Sequence, residues 1–301
     1  MLRVVVFELL MCVSVGLKVS MGSFHAMGHI QPILPLAQGL ACRGHQVSIY
    51  VPRPVAFSVE RTLKKRGVTE NVVVVEAGED PDMSEMMWLT HAALSYKMFD
   101  PMMRIMSKDR PDIIVSDFLS WSVCDVAEVL EIPCVEIQPN VGFESSYVNM
   151  FKFSRALPVQ YSGFGENMNL WQRISNRFQS LVFSVGKLSS LIHLNALRWK
   201  RNLTTLYGLP GFDHSWVPRP TVRTTAWGLE FPSVVSPLVK MVGPLMWNES
   251  NYEPVSKSLQ DWFDIVELNK GIVVYISFGT NLQHFSNTMG KLYNNLCSKS
   301  S

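Results

Sequence analysis

The 301-residue sequence predicts an α/β fold built on a doubly wound parallel sheet, with the start of a second domain behind it. Short β-branched runs alternate with longer amphipathic stretches through the first half of the chain. Hydrophobic residues make up 47% of the sequence against 17% charged, enough to fill a buried core. A polar stretch at residues 246–257 then precedes one more helix and an apolar run, as a linker between domains would.

Residues 17–22 (LKVSMG) read as the first strand and residues 31–43 as a helix, with Gly44 suited to cap its C-terminus. Residues 46–51 (QVSIYV) form the second strand. Residues 71–76 (NVVVVE) form a third, too short and too β-branched for a helix. The Met-rich stretch 84–108 predicts a helix. Pro111-Asp112 opens a buried strand over residues 113–117 (IIVSD), followed by a helix over 122–131 and a strand over 133–137. Strand, helix and strand at this spacing specify parallel pairing, because a crossover helix must return the chain to the same edge.

Residues 142–207 predict a largely helical insertion, either the wall of a ligand site or an extra packing layer. The prolines at 210, 218, 220, 232, 237 and 244 predict short strands rather than long helices. Beyond the linker, residues 258–268 read as a helix and residues 271–278 (GIVVYISF) as a buried strand turned by Gly279-Thr280-Asn281. The expected organisation is a signal segment at 1–16, a first domain at 17–245, the linker, and the beginning of a second domain at 258–301.

Several classes are disfavoured. The net charge of +2 is scattered, and its densest run, Lys64-Lys65-Arg66, reads as an exposed helix end, so nucleic acid is not an expected partner. Five cysteines without C-x-x-C spacing predict isolated buried thiols and no disulfide framework. P-loop, H-E-x-x-H, G-x-S-x-G and G-x-G-x-x-G motifs are all missing from the sequence. The N-terminus has two readings. Met1-Leu2-Arg3 before an apolar run broken by Glu8 resembles a signal peptide, and the alternative is a first strand with an apolar extension. The sequons at Asn202 and Asn248 fit lumenal exposure.

Two residues carry the chemistry. His29 lies in the turn after the first strand, and Asp117 ends the fourth, so both belong to the edge where open α/β sheets bind ligands. Gly28 allows close backbone approach, and a nearby helix N-terminus favours the neutral imidazole that a general base requires. A carboxylate on the second ring nitrogen would orient that base.

Five blocks in order resemble the UDP-dependent glycosyltransferases that modify small lipophilic acceptors. They are Gly28-His29-Ile30-Gln31-Pro32 with Leu34-Pro35-Leu36-Ala37, Arg43-Gly44-His45-Gln46-Val47, residues 111–117 (PDIIVSD), Val242-Gly243-Pro244-Leu245, and residues 274–280 (VYISFGT). The resemblance implies a GT-B arrangement of two facing Rossmann-like domains, of which this chain holds the first and the beginning of the second. It implies that His29 deprotonates the acceptor hydroxyl, that Asp117 supports it, and that Ser277, Gly279 and Thr280 approach the donor diphosphate. Gly28, Trp88, Phe118 and Trp121 are candidate acceptor contacts. The UDP-sugar is a co-substrate, with no cofactor or metal expected.

The signal-peptide reading and the sequons imply the secretory pathway, in the endoplasmic reticulum lumen or at its membrane, with a cytoplasmic location as the alternative. The family's downstream His-x-Gly-x-Asn-Ser segment and Asp-Gln pair are absent from the sequence. Donor binding by these residues alone is therefore in question. A binding or regulatory chain that holds the acceptor, or pairs with a full-length relative, is the competing expectation. An unrelated nucleotide-binding domain of the same fold is the third.

Overall fold

The computed structural model describes residues 16–79, 95–139, 158, 162–186, 188–203, 219–226, 228, 237–247 and 254–275. The chain separates into two compact units, Met1–Asn251 and Tyr252–Ser301.

The first unit is organised by strands β1 (Lys18–Gly22), β2 (Gln46–Val51), β3 (Val72–Glu76), β4 (Ile113–Asp117), β5 (Cys134–Gln138), β6 (Thr221–Arg223) and β7 (Val239–Met241). Among the described residues they form one parallel sheet in the order β3-β2-β1-β4-β5-β6-β7. The order reverses direction at β1, between β2 and β4. Such a switch point leaves a crevice at the carboxyl ends of the two central strands, because their crossovers depart to opposite faces.

Helices follow most strands. They are α1 (Met27–Ile30), α2 (Ile33–Ala41), α3 (Arg53–Lys65), α4 (Phe99–Met106), α5 (Trp121–Val129), α6 (Leu170–Gly186) and α7 (Leu188–Trp199). In α3, Ala56, Val59 and Leu63 are buried at helical spacing, and the basic Lys64 and Lys65 close its exposed last turn. The period-2 pleat divides the core. Met21, Ile49 and Val115 share one face with α1, α2 and α3. Ile114 lies on the other, with α4, α5 and Leu194 of α7.

Most predicted elements form within one or two residues of their expected bounds. Four expectations need correction. The single helix over 31–43 is instead α1 and α2, separated at Gln31 and Pro32. Proline has no N–H, so Pro32 and Pro35 cannot donate to Gly28 and Gln31, and the ladder is interrupted although the backbone stays near helical angles. His29 thus sits inside a helical turn rather than before a helix. Gly44, expected at the cap, has φ +83° and its N–H bonds Ala41.

In the stretch 84–108, residues 84–94 lie outside the described residues. The rest forms a 3-10 turn, Tyr96–Met98, leading into α4. In the second unit, α8 (Lys257–Leu268) forms, but residues 271–275 are not a strand and are exposed, with Ile272 at 89% and Tyr275 at 87%. A strand requires a hydrogen-bonded neighbour, and no other strand lies among the described residues of that unit.

The thiols also differ from expectation. Cys42 is exposed, while Cys124 of α5 and Cys134 of β5 are adjacent, their sulfurs 3.0 Å apart and both free; Cys12 and Cys297 lie outside the described residues. No described helix is long and apolar enough to cross a membrane, and the apolar N-terminal stretch lies outside the described residues.

Candidate functional site

The site grows from two turns at the carboxyl edge. β1 ends at Gly22, and Ser23 extends its pairing through an N–H bond to Tyr50. The chain then passes through Phe24 into α1, which carries His29. β4 ends at Asp117, whose pairing partner on β5 is Ile137. Asp117 alternates with Val115 along the strand and therefore faces the layer that contains α1. Gly22 is required by packing. A Cβ there would stand 2.6 Å from Val123 Cγ2, so the helix after β4 could not approach β1 so closely.

These turns bring His29 Nδ1 to 2.8 Å from Asp117 Oδ1. The aspartate side chain is 3% exposed and the histidine 22%. A carboxylate only accepts hydrogen bonds, so a neutral ring in this contact carries its proton on Nδ1 and leaves the lone pair on Nε2. The other carboxylate oxygen, Oδ2, accepts from the Leu119 N–H at 3.1 Å and the Ser120 hydroxyl at 3.0 Å. The Phe24 N–H donates to Ser120 Oγ at 2.8 Å. The imidazole packs against two rings, with centroids 4.6 Å from Phe24 and 5.2 Å from Phe118, the latter stacked.

Phe118 is thus buried against His29, at the position proposed for an acceptor wall. Gly28 is exposed, and a Cβ there would meet nothing within 4 Å. Trp121 belongs to the core on the opposite face, its indole N–H donating to the Phe118 carbonyl. Trp88, Ser277, Gly279 and Thr280 lie outside the described residues. Two other motif residues work at the far edge of the sheet. His45 Nδ1 accepts from the Leu17 N–H and Asp112 from the Lys18 N–H, so both hold the amino end of β1.

Sequence reasoning did not single out Ser120 or Phe24. The Ser three places after Asp117 was the available signal, since Asp and Ser at that spacing close local turns. Nor did it single out the buried polar cluster behind α5. There Asp125 receives Tyr96 and Arg198, Arg198 also reaches Glu128 at 3.1 Å, and Arg219 lies 3.6 Å from Glu128. Burial and the adjacent Asp125 push the Tyr96 phenol far above its ordinary range, so it remains a neutral donor. This cluster fastens α7 to the sheet layer. Among the described residues, no group of three or more His, Cys, Asp or Glu gathers as a metal site.

A doubly wound parallel sheet with a switch-point histidine defines the class, a Rossmann-like domain. Its structural relatives have the GT-B glycosyltransferase fold. The glycotransferase of kitacinnamycin superposes with TM-score 0.54 at 17% identity, covering 81% of this chain and 55% of that one. A UDP-glucosyltransferase from Polygonum tinctorium gives 0.51 at 16% identity, covering 84% and 57%.

The model of the UDP-glucoronosyl and UDP-glucosyl transferase family matches residues 81–294, and the chain belongs to that family. It is 28% identical over 182 residues to UDP-glycosyltransferase 1 of Phaeomoniella chlamydospora, an alignment covering 59% of this chain and 35% of that protein. To the NDP-glycosyltransferase YjiC of Bacillus subtilis it is 25% identical over 162 residues, covering 50% and 40%. The chain thus spans less than half the length of both curated relatives. Asp117 falls inside the family match and His29 precedes it.

Proposed function

We propose that this chain holds a small lipophilic acceptor and transfers a sugar to its hydroxyl from a UDP-sugar, with inversion at the anomeric carbon. The observation that carries the reading is the 2.8 Å contact between His29 and Asp117 at the sheet's switch point. In it, Nε2 of His29 takes the acceptor proton as the oxygen attacks the anomeric carbon. The bond to the diphosphate breaks from the opposite side, and UDP leaves with the bonding electron pair. Asp117 fixes the tautomer and balances the imidazolium charge until the proton passes to solvent. Phe118, itself buried, backs the imidazole with an apolar ring. Assigning the diphosphate to Ser277, Gly279 and Thr280 rests on the sequence resemblance. Backbone amides and hydroxyls at a strand-to-helix turn suit an anionic leaving group.

The test is transfer from UDP-sugars to a panel of apolar alcohols and phenols by the unsubstituted protein and by His29→Ala. Turnover is expected to fall by roughly two orders of magnitude or more, with thermal stability retained. Turnover within a few-fold of the unsubstituted rate removes His29 as the base.

The competing reading is acceptor binding without transfer. It predicts saturable acceptor binding without product from any UDP-sugar.

A further inference from the structure

We propose that Ser120 is a positioning residue for this site, a hydroxyl clamp that locks the His29–Asp117 pair in one tautomer and one geometry. The inference rests on the proposed role of that pair. Ser120 is completely buried, and its hydroxyl is used in both directions. The Phe24 amide can only donate, and at 2.8 Å it occupies a lone pair of Ser120 Oγ. The hydroxyl proton is therefore free to turn to Asp117 Oδ2, 3.0 Å away. One side chain thereby joins the turn carrying the carboxylate to the loop carrying the imidazole, five residues before His29.

The turn is itself held. Ser116 Oγ donates within reach of the carbonyls of Asp117 and Ser120, at 3.0 and 3.1 Å, and the Ser120 N–H bonds the Asp117 carbonyl at 2.9 Å. With Oδ2 fixed by the Ser120 hydroxyl and the Leu119 amide, the carboxylate cannot rotate without breaking two hydrogen bonds. Oδ1 is then held toward His29 Nδ1. The Phe24 ring, tilted against His29 with centroids 4.6 Å apart, depends on the same hydroxyl for the position of its backbone. A serine serving only helix α5 would not need this arrangement. Although Ser120 stands at the N-cap of α5, its side chain makes no cap hydrogen bond.

The experiment follows His29 by 1H–15N correlation in histidine-labelled protein at alkaline pH, where each tautomer has its own pair of ring-nitrogen shifts. The unsubstituted protein is expected to show one species, protonated on Nδ1. Ser120→Ala is expected to show a mixture of tautomers, with kcat for sugar transfer lowered about tenfold or more and the acceptor KM unchanged. Ser120→Thr keeps the hydroxyl and is expected to retain the single species. Should Ser120→Ala not fold, Ser120→Cys, with a weak donor of similar size, carries the same expectation as Ala.

A single Nδ1-protonated species in the folded Ala or Cys variant, equal to the unsubstituted protein, overturns the clamp and leaves the dyad standing. A mixture in folded Ser120→Thr as large as in Ala also overturns it, by assigning the effect to packing. An Nε2-protonated ring in the unsubstituted protein instead overturns the dyad itself.

Discussion

His29 and Asp117, 88 residues apart in the chain, meet through Nδ1 and Oδ1 at 2.8 Å. The contact is made by topology. β1 and β4 are parallel neighbours with Gly22 paired to Ser116, so the segments leaving their carboxyl ends must pass one another. Asp117, whose side chain is buried, therefore lies beside the first helical turn after β1.

Asp117→Asn is expected to lower turnover by about two orders of magnitude while leaving acceptor affinity largely unchanged. An amide cannot replace this carboxylate. One oxygen faces His29 and the other accepts from Leu119 and Ser120, so the NH2 group meets a donor on one side or displaces the tautomer on the other. Steady-state kinetics and acceptor titration check it. Loss of acceptor binding would make Asp117 architectural instead.

Gly22→Ala is expected to destabilise the first unit by about 1–3 kcal/mol, because the added methyl meets both Val123 methyls at 2.6 and 2.9 Å. The same substitution in a Val123→Ala background should cost less, a coupling readable from denaturant midpoints. Equal costs in the two backgrounds would show that the contact is relieved elsewhere.

Arg198→Met leaves the Asp125 carboxylate fully buried without its guanidinium, and is expected to lower stability by about 3–5 kcal/mol. Asp125→Leu combined with Arg198→Met should recover much of that loss, since removing both charges also removes both desolvation penalties. Urea unfolding of the two single variants and the double variant measures this. A double variant no more stable than Arg198→Met assigns the loss to packing of α7.

Passage through the secretory pathway, which the N-terminal stretch suggests, has its own check. Asn202 is exposed in the turn after α7, at φ +57°. Expressed in eukaryotic cells, the protein should lose mass at that asparagine on treatment with an N-glycosidase, and Asn202→Gln should abolish the shift. An unmodified Asn202 in secreted or membrane-fraction protein counts against lumenal exposure of this turn.

Much of this molecule was legible without coordinates. β2 and β4 were bounded to the residue, because β-branched runs between Gly or Pro punctuation exclude a helix locally. His29 and Asp117 could be assigned to one edge, because strands joined by crossover helices run parallel and so all end at the same edge. Chain order alone determined that they share the rim. Tertiary structure decided what a one-dimensional pattern does not encode. Ser120 binds Phe24 across 96 residues, a contact with no period or spacing to announce it. Arg198 and Asp125 pair across 73 in the same way. Residues 271–275 show the converse, a strand-like sequence with no strand beside it among the described residues of its unit. Local propensity follows from each residue's own sterics, whereas pairing, burial and the aim of a carboxylate depend on which distant segments the folded chain brings alongside.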